Sequence, residues 1–197
     1  MTFNSGTLDV SAVRPRGILA WVDGNGSATV NTGAGTVINV SGTQFGGPGV
    51  YVFSSAATAT ALTANVASLV TSVGPADPTN PNNLPVGIRA NNSGFNAPIV
   101  VNYTGPGITA EGGNGVGILA TSGSGSINVT SSGPIGTTGE LSSGIVAITR
   151  GNVAVNIAPG VSVMGGCRRP YRRLGPPWSA GRWHHPEPDR RQRDPDQ

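Results

Sequence analysis

Apolar and polar positions alternate along this chain in short bursts, each opened by a glycine and closed by a polar turn. Five bursts share one phrase: GILAWV at Gly17, GVYVFS at Gly49, GIRANN at Gly87, GILATS at Gly117 and GIVAIT at Gly144. The first and third residues after the glycine are apolar or small: Ile18 and Ala20, Val50 and Val52, Ile88 and Ala90, Ile118 and Ala120, Ile145 and Ala147. A period of two predicts a strand with one buried face. A second alternating segment follows some ten residues later, with Ala28 and Val30, Ile99 and Val101, Ile127 and Val129, and Val153 and Val155 as its inward pairs. A third segment comes next, with Ile38 and Val40, Ile108 and Ala110, a weaker Ile135, and Val161 and Val163. Between segments lie DGNG, TGPG, SGSGS and APG, whose Gly and Pro suit sharp corners.

The phrase restarts at spacings of 32, 38, 30 and 27 residues. A β-meander or sandwich also has short strands and glycine turns, but nothing in it requires the same three-strand phrase to return in the same order. A right-handed parallel β-helix does, because each phrase is one coil stacked on the last at about 4.8 Å. The expected fold is therefore all-β: a parallel β-helix (solenoid) of about four to five coils over residues 17–166, with starts at 17, 49, 87, 117 and 144. Residues 1–16 are read as a lead-in strand or disordered segment. The second unit is irregular: its Ala/Thr stretch after Val52 reads as strand or short helix, with strand favoured by the Thr and Val of its second half. PADPTNPNNLP carries four Pro in eleven residues, so a loop insertion is expected at about 74–86.

Composition agrees with this picture. The 197 residues include 31 Gly and 16 Pro but no Lys, and only 11% are charged, which excludes helical bundles and coiled coils. Charge is segregated. Residues 1–166 hold four Arg (Arg14, Arg16, Arg89, Arg150) against five acids (Asp9, Asp23, Asp77, Glu111, Glu140), a net charge of −1. Residues 167–197 hold eight Arg, four acids, six Pro, both His, the single Cys167, and two of the three Trp. One thiol excludes an internal disulfide framework. The opening MTFNSGTLDVSAVRPRG lacks the basic start and apolar run of an export signal, and no stretch of 18 apolar residues predicts a membrane span.

The phrases GVGILATSGSGSINVTSSGPIG and GIVAITRGNVAVNIAPGVSV resemble the passenger regions of bacterial autotransporter adhesins, over roughly residues 17–166. That resemblance rests on repeat style. It implies a β-helix stalk at the cell surface, bound to the outer membrane or secreted, that works as a structural or adhesive surface. It also implies an export signal and an outer-membrane barrel, neither of which is visible in this sequence.

No catalytic, cofactor or metal site is expected. A β-helix carbohydrate-active enzyme of the pectin lyase or hydrolase type is the alternative; it would need carboxylates, or carboxylates with cations, converging on one face. Asp23, Glu111 and Glu140 are the acids to watch, since Glu111 and Glu140 are spaced near one coil length. A phosphate loop needs a Lys that is absent, and GGNGVGI resembles a calcium-binding repeat without its Asp. Sequons at Asn25, Asn39, Asn91, Asn102 and Asn128 are as frequent as chance allows in an Asn/Ser/Thr-rich chain. Asn31, Asn102 and Asn156 each follow the second inward residue of the second segment, so they define an outward polar column. With Trp21 and Tyr103 they form the expected surface contacts, suited to host or surface glycans and proteins. Self-association through the solenoid ends is the other partner reading, and nucleic acid is not expected.

Residues 167–197 read as a disordered tail in which Cys167, His184 and His185 bind nothing and Trp178 and Trp183 are exposed. Their abrupt Arg, Pro, Trp and His content matches GC-rich DNA translated out of frame. Starting each codon one base earlier permits a Gly/Thr/Val-rich, passenger-like sequence in its place.

Overall fold

Alternation, where it occurs, is answered strand by strand, and the strands pair between coils. The computed structural model describes residues 1–80, 83–92 and 95–166. The expectations for Cys167, Trp178, Trp183, His184 and His185 lie outside the described residues.

Chain order gives β1 (Thr2–Ala12), then a first full coil of β2 (Ile18–Val22) and β3 (Gly26–Gly42). The second coil holds β4 (Pro48–Ser54), β5 (Ala59–Val66) and β6 (Leu69–Val73); the third holds β7 (Val86–Asn92), β8 (Ile99–Tyr103) and β9 (Ile108–Glu111). The fourth holds β10 (Val116–Ser122), β11 (Ile127–Ser131) and β12 (Ile135–Thr138), and the fifth β13 (Ser143–Ile148), β14 (Val153–Ile157) and β15 (Val163–Met164). The stretch after Val52 is thus two strands, β5 and β6.

Strands stack in three columns, and the pairing is parallel in each. The first column is β2-β4-β7-β10-β13. β3 is long enough to serve two columns: its first half pairs with β5 and leads to β8, β11 and β14, and its second half pairs with β6 and leads to β9, β12 and β15. β1 pairs with β3 from Asn31 to Gly42 and adds part of a coil before the first. Every return to a column therefore takes one circuit, the right-handed parallel β-solenoid of about five turns.

Register places like residues on like. Ile18, Val50, Ile88, Ile118 and Ile145 are successive partners, as are Ala20, Val52, Ala90, Ala120 and Ala147. In the second column Ala28, Leu62, Ile99, Ile127 and Val153 align, and in the third Ile38, Val70, Ile108, Ile135 and Val163. Through the fourth coil their side chains form one core, with Val50, Ile88, Ile99 and Ile118 fully buried and Ile145 and Ala147 of the fifth coil packed against it. Two details differ from the sequence reading. Ile135 is a full core residue, and the last third-column strand starts at Val163, Ile135's partner, leaving Val161 in the preceding turn. Val153 and Val155 have the inward phase but are exposed, because no strand pairs beyond β14 among the described residues.

The recurring glycine has a packing cause. A Cβ on Gly49, Gly87, Gly117 or Gly144 would overlap a γ-methyl of Val70, Ile108, Ile135 or Val163 in the same coil. Each third-column branched residue reaches across to the start of the first-column strand. Only a residue with no side chain leaves it room.

Candidate functional site

Outward positions of the first column carry the chemistry. Leu19, Tyr51, Arg89, Leu119 and Val146 form one outward row, and Trp21, Phe53, Asn91, Thr121 and Ile148 the next. The rings of Trp21 and Phe53 lie 6.2 Å apart and those of Tyr51 and Phe53 5.7 Å, both tilted, which is favourable aromatic geometry. Trp21 Nε1 donates to Ser55 Oγ at 2.9 Å, and Ser55 Oγ donates to Asp23 at 2.7 Å, fixing the exposed indole.

Three of the four arginines in residues 1–166 gather here. The Arg16 and Arg89 guanidinium carbons stand 5.7 and 5.3 Å from the Tyr51 ring centre, and that of Arg14 stands 5.2 Å from Phe45. These are cation–π distances. Arg14 and Arg16 come from the lead-in loop, whereas Arg89 comes from β7 and is buried. Burial lowers the Arg89 pKa from its ordinary value; neighbouring Arg16 acts in the same direction and Tyr51 against it.

The insertion after β6 closes the other side. Its Ala76 and Leu84 pack with Val86, Val116, Leu119 and Val146 in a small apolar cluster outside the main core. Asp77 holds its shape: Thr79 donates through its backbone N at 2.9 Å and its hydroxyl at 2.6 Å, and Asn83 Nδ2 donates at 2.9 Å. Those bonds pull the Asp77 carboxyl down to about 2. Gly46 and Gly47 let the loops meet, since a Cβ on either would overlap Pro85 or Pro15.

The result is a cleft of about 380 Å³ lined by Arg14, Arg16, Tyr51, Phe53, Arg89 and three asparagines, Asn80, Asn83 and Asn91, with Gly and Pro backbone between. Among the described residues no acid lines it. Cationic edges, ring faces and amides in one concavity suit an anionic, hydroxyl-rich ligand.

Of the residues singled out from sequence, Trp21 stands at the end of this aromatic row and is 60% exposed. Asn31 and Asn102 belong to a different face, the outside of the second column. There Asn65 Nδ2 donates to Asn31 Oδ1 and Asn102 Nδ2 to Asn65 Oδ1, both at 2.8 Å, so the asparagines form a ladder. Thr130 continues the row and Asn156 ends it, with Asn156 bonding sideways to Asn128 at 3.5 Å. Tyr103 corrects the expectation: it is fully buried. It shares the phase of Ile99 and Val101, and Gly105 and Gly133 make space for its ring, where an added Cβ would stand 2.8 and 2.7 Å from ring carbons. Its hydroxyl donates to the Ser68 carbonyl at 3.5 Å, and burial raises its pKa.

Glu111 and Glu140 meet at one corner of adjacent coils, where the Glu140 carbonyl accepts from Asn114 N at 2.9 Å, and Asp23 lies at a different corner. Asp23 sits at the corner after β2, Glu111 ends β9 opposite Thr138, and Glu140 lies in the turn after β12. Among the described residues no group of three or more His, Cys, Asp or Glu is placed to hold a metal ion. Arg14, Arg16, Arg89, Tyr51 and Phe53 were not recognised from sequence as a group. Their signal was present for two of them, because Tyr51 and Arg89 fall at the same place in successive phrases; the lead-in arginines have no such register. Compared with family models, curated proteins and solved structures, the chain matches none.

Proposed function

We propose that this chain is a non-catalytic structural and adhesive segment of an autotransporter-like passenger, displayed at the cell surface, that makes its contacts through the outer face of the first column. A parallel β-solenoid is compatible with structural, adhesive or enzymatic roles, so the fold alone does not choose. The observation that carries the reading is the cleft: recognition groups concentrated on one outward face of a regular stack, with Asp23, Glu111 and Glu140 all outside its described lining. Among the described residues no helix is long and apolar enough to cross a membrane.

The test is adhesion. Beads coated with the chain are expected to be retained on surfaces bearing glycans or matrix proteins, and to leave soluble polysaccharide chains uncut. Absence of retention on every such surface, or turnover of a polysaccharide, would overturn the proposal.

A further inference from the structure

We infer that the cleft between the lead-in loop, β4, β7 and the flanking residues Asn80 and Asn83 binds a short saccharide bearing a carboxylate. This deepens the adhesive reading and rests on it. Three guanidinium groups border a concavity with no acid among its described lining residues, and each lies over an aromatic ring at 5.2–5.7 Å. A contact over a ring face positions a guanidinium, and the guanidiniums of the two exposed arginines, Arg14 and Arg16, can meet a carboxylate with two parallel hydrogen bonds. Arg14 and Arg16 are exposed at the rim, so a ligand reaches them without displacing the core.

Two further features select a sugar rather than a bare anion. Phe53 beside Tyr51 offers an apolar ring face against which the C–H face of a sugar packs, and Trp21 extends the row. Asn80, Asn83 and Asn91 add polar amides to the lining, with Asn83 Nδ2 held by Asp77 and Asn91 Oδ1 by Thr121, so the wall that meets sugar hydroxyls is polar and fixed in shape. The volume, about 380 Å³, lies at the small end of ligand sites, which run from roughly 300 to 1,000 Å³, so the site takes a terminal unit or a short piece of a chain.

An extended nucleic acid fits worse. It needs cations repeated along the phosphate track. Here the cations converge on one point, and the rest of residues 1–166 holds only Arg150 against five acids.

The experiment is titration calorimetry of the full chain with 3′-sialyllactose and with digalacturonate, against lactose as the neutral probe and a short single-stranded oligonucleotide as the polyanion. At least one acidic saccharide is expected to bind about tenfold or more tighter than lactose. Arg16→Gln and the double variant Arg14→Gln with Arg16→Gln should weaken that binding about fivefold and more than tenfold, while Arg150→Gln leaves it unchanged. The basic tail is common to all variants, so differences among them belong to the cleft. Both rim arginines are exposed, and an unchanged thermal melt checks that the fold is kept. Equal binding of lactose and the acids, no saccharide binding, loss equal in Arg150→Gln, or tighter oligonucleotide binding with the same arginine dependence would each overturn the inference. Retained bead adhesion with no saccharide binding would sink this inference alone, whereas loss of adhesion altogether would sink the functional proposal beneath it.

Discussion

At the scale of the residue, the glycine that opens each phrase is held by packing from two sides. A Cβ at Gly87 would overlap the Ile108 γ-methyl and stand 2.6 Å from the Gly117 carbonyl oxygen of the next coil, so neither side can give way without moving a strand. Gly87→Ala is expected to cost about 1–3 kcal/mol, the range for overpacking a well-filled core. Gly113 is the control. It is exposed, and an added Cβ there meets nothing within 4 Å, so Gly113→Ala should be neutral or stabilising by up to about 1 kcal/mol. Urea unfolding of both variants checks the pair, and equal losses would show that the glycines serve backbone freedom rather than space. Recurrence of these glycines was legible in the sequence, but their reason was not: the clash is with the third strand of the same coil, which periodicity within one strand does not register. Tyr103 shows the opposite case. Its phase, two residues after Val101, already placed it inside, and its aromatic character drew the outward reading against that parity.

At the scale of the element, two features set how firmly the outer faces are held. The Asn31–Asn65–Asn102 ladder runs across three coils, and Asn65 at its centre both donates and accepts. Removing it breaks two bonds of about 0.5–1.5 kcal/mol each, so Asn65→Ala should destabilise by about 1–2 kcal/mol. Asn156→Ala, at an exposed position with one long bond, should stay within about 0.5 kcal/mol. Denaturation curves of the two variants separate a ladder from a merely polar column. The column was read from Asn31, Asn102 and Asn156; Asn65 was missed because the irregular second unit hid its register. The other feature is the pair of segments 74–80 and 83–85, whose Asn80 and Asn83 line the cleft. Asp77 titrates at about 2 when its bonds to Thr79 and Asn83 are made, below its ordinary 3.8. A lowered folded pKa means stability that is fully present above about pH 4 and lost as pH falls toward 2. Amide resonances of Thr79 and Asn83 should therefore shift together across that window. Asp77→Asn should abolish the transition, and its persistence there would assign the order of the loop to other groups.

At the scale of the whole molecule, the architecture was legible because one phrase repeated in one order fixes coil length, strand phase and stacking together. The cleft was not, since it is assembled from a lead-in loop, two coils and an insertion whose residues share no period. The same one-dimensional construction governs how the molecule opens. Each coil contacts chiefly its neighbours, so its local stability depends on whether it has a neighbour on both sides. β7 and β8 do, and their inward residues Ile88, Ile99 and Val101 are fully buried. β14 pairs only with β11, and its Val153, Val155 and Ile157 are 47%, 45% and 39% exposed. Hydrogen-bonded amides of β14 are thus expected to exchange through local opening, at least roughly a hundredfold faster than those of β8, which wait for a larger unfolding event. Protection measured under native conditions should fall off from the central coils toward the fifth rather than step at a single boundary. Uniform protection from β4 through β14 would show that the solenoid unfolds as one cooperative unit, and that nearest-neighbour stacking is not what sets its stability.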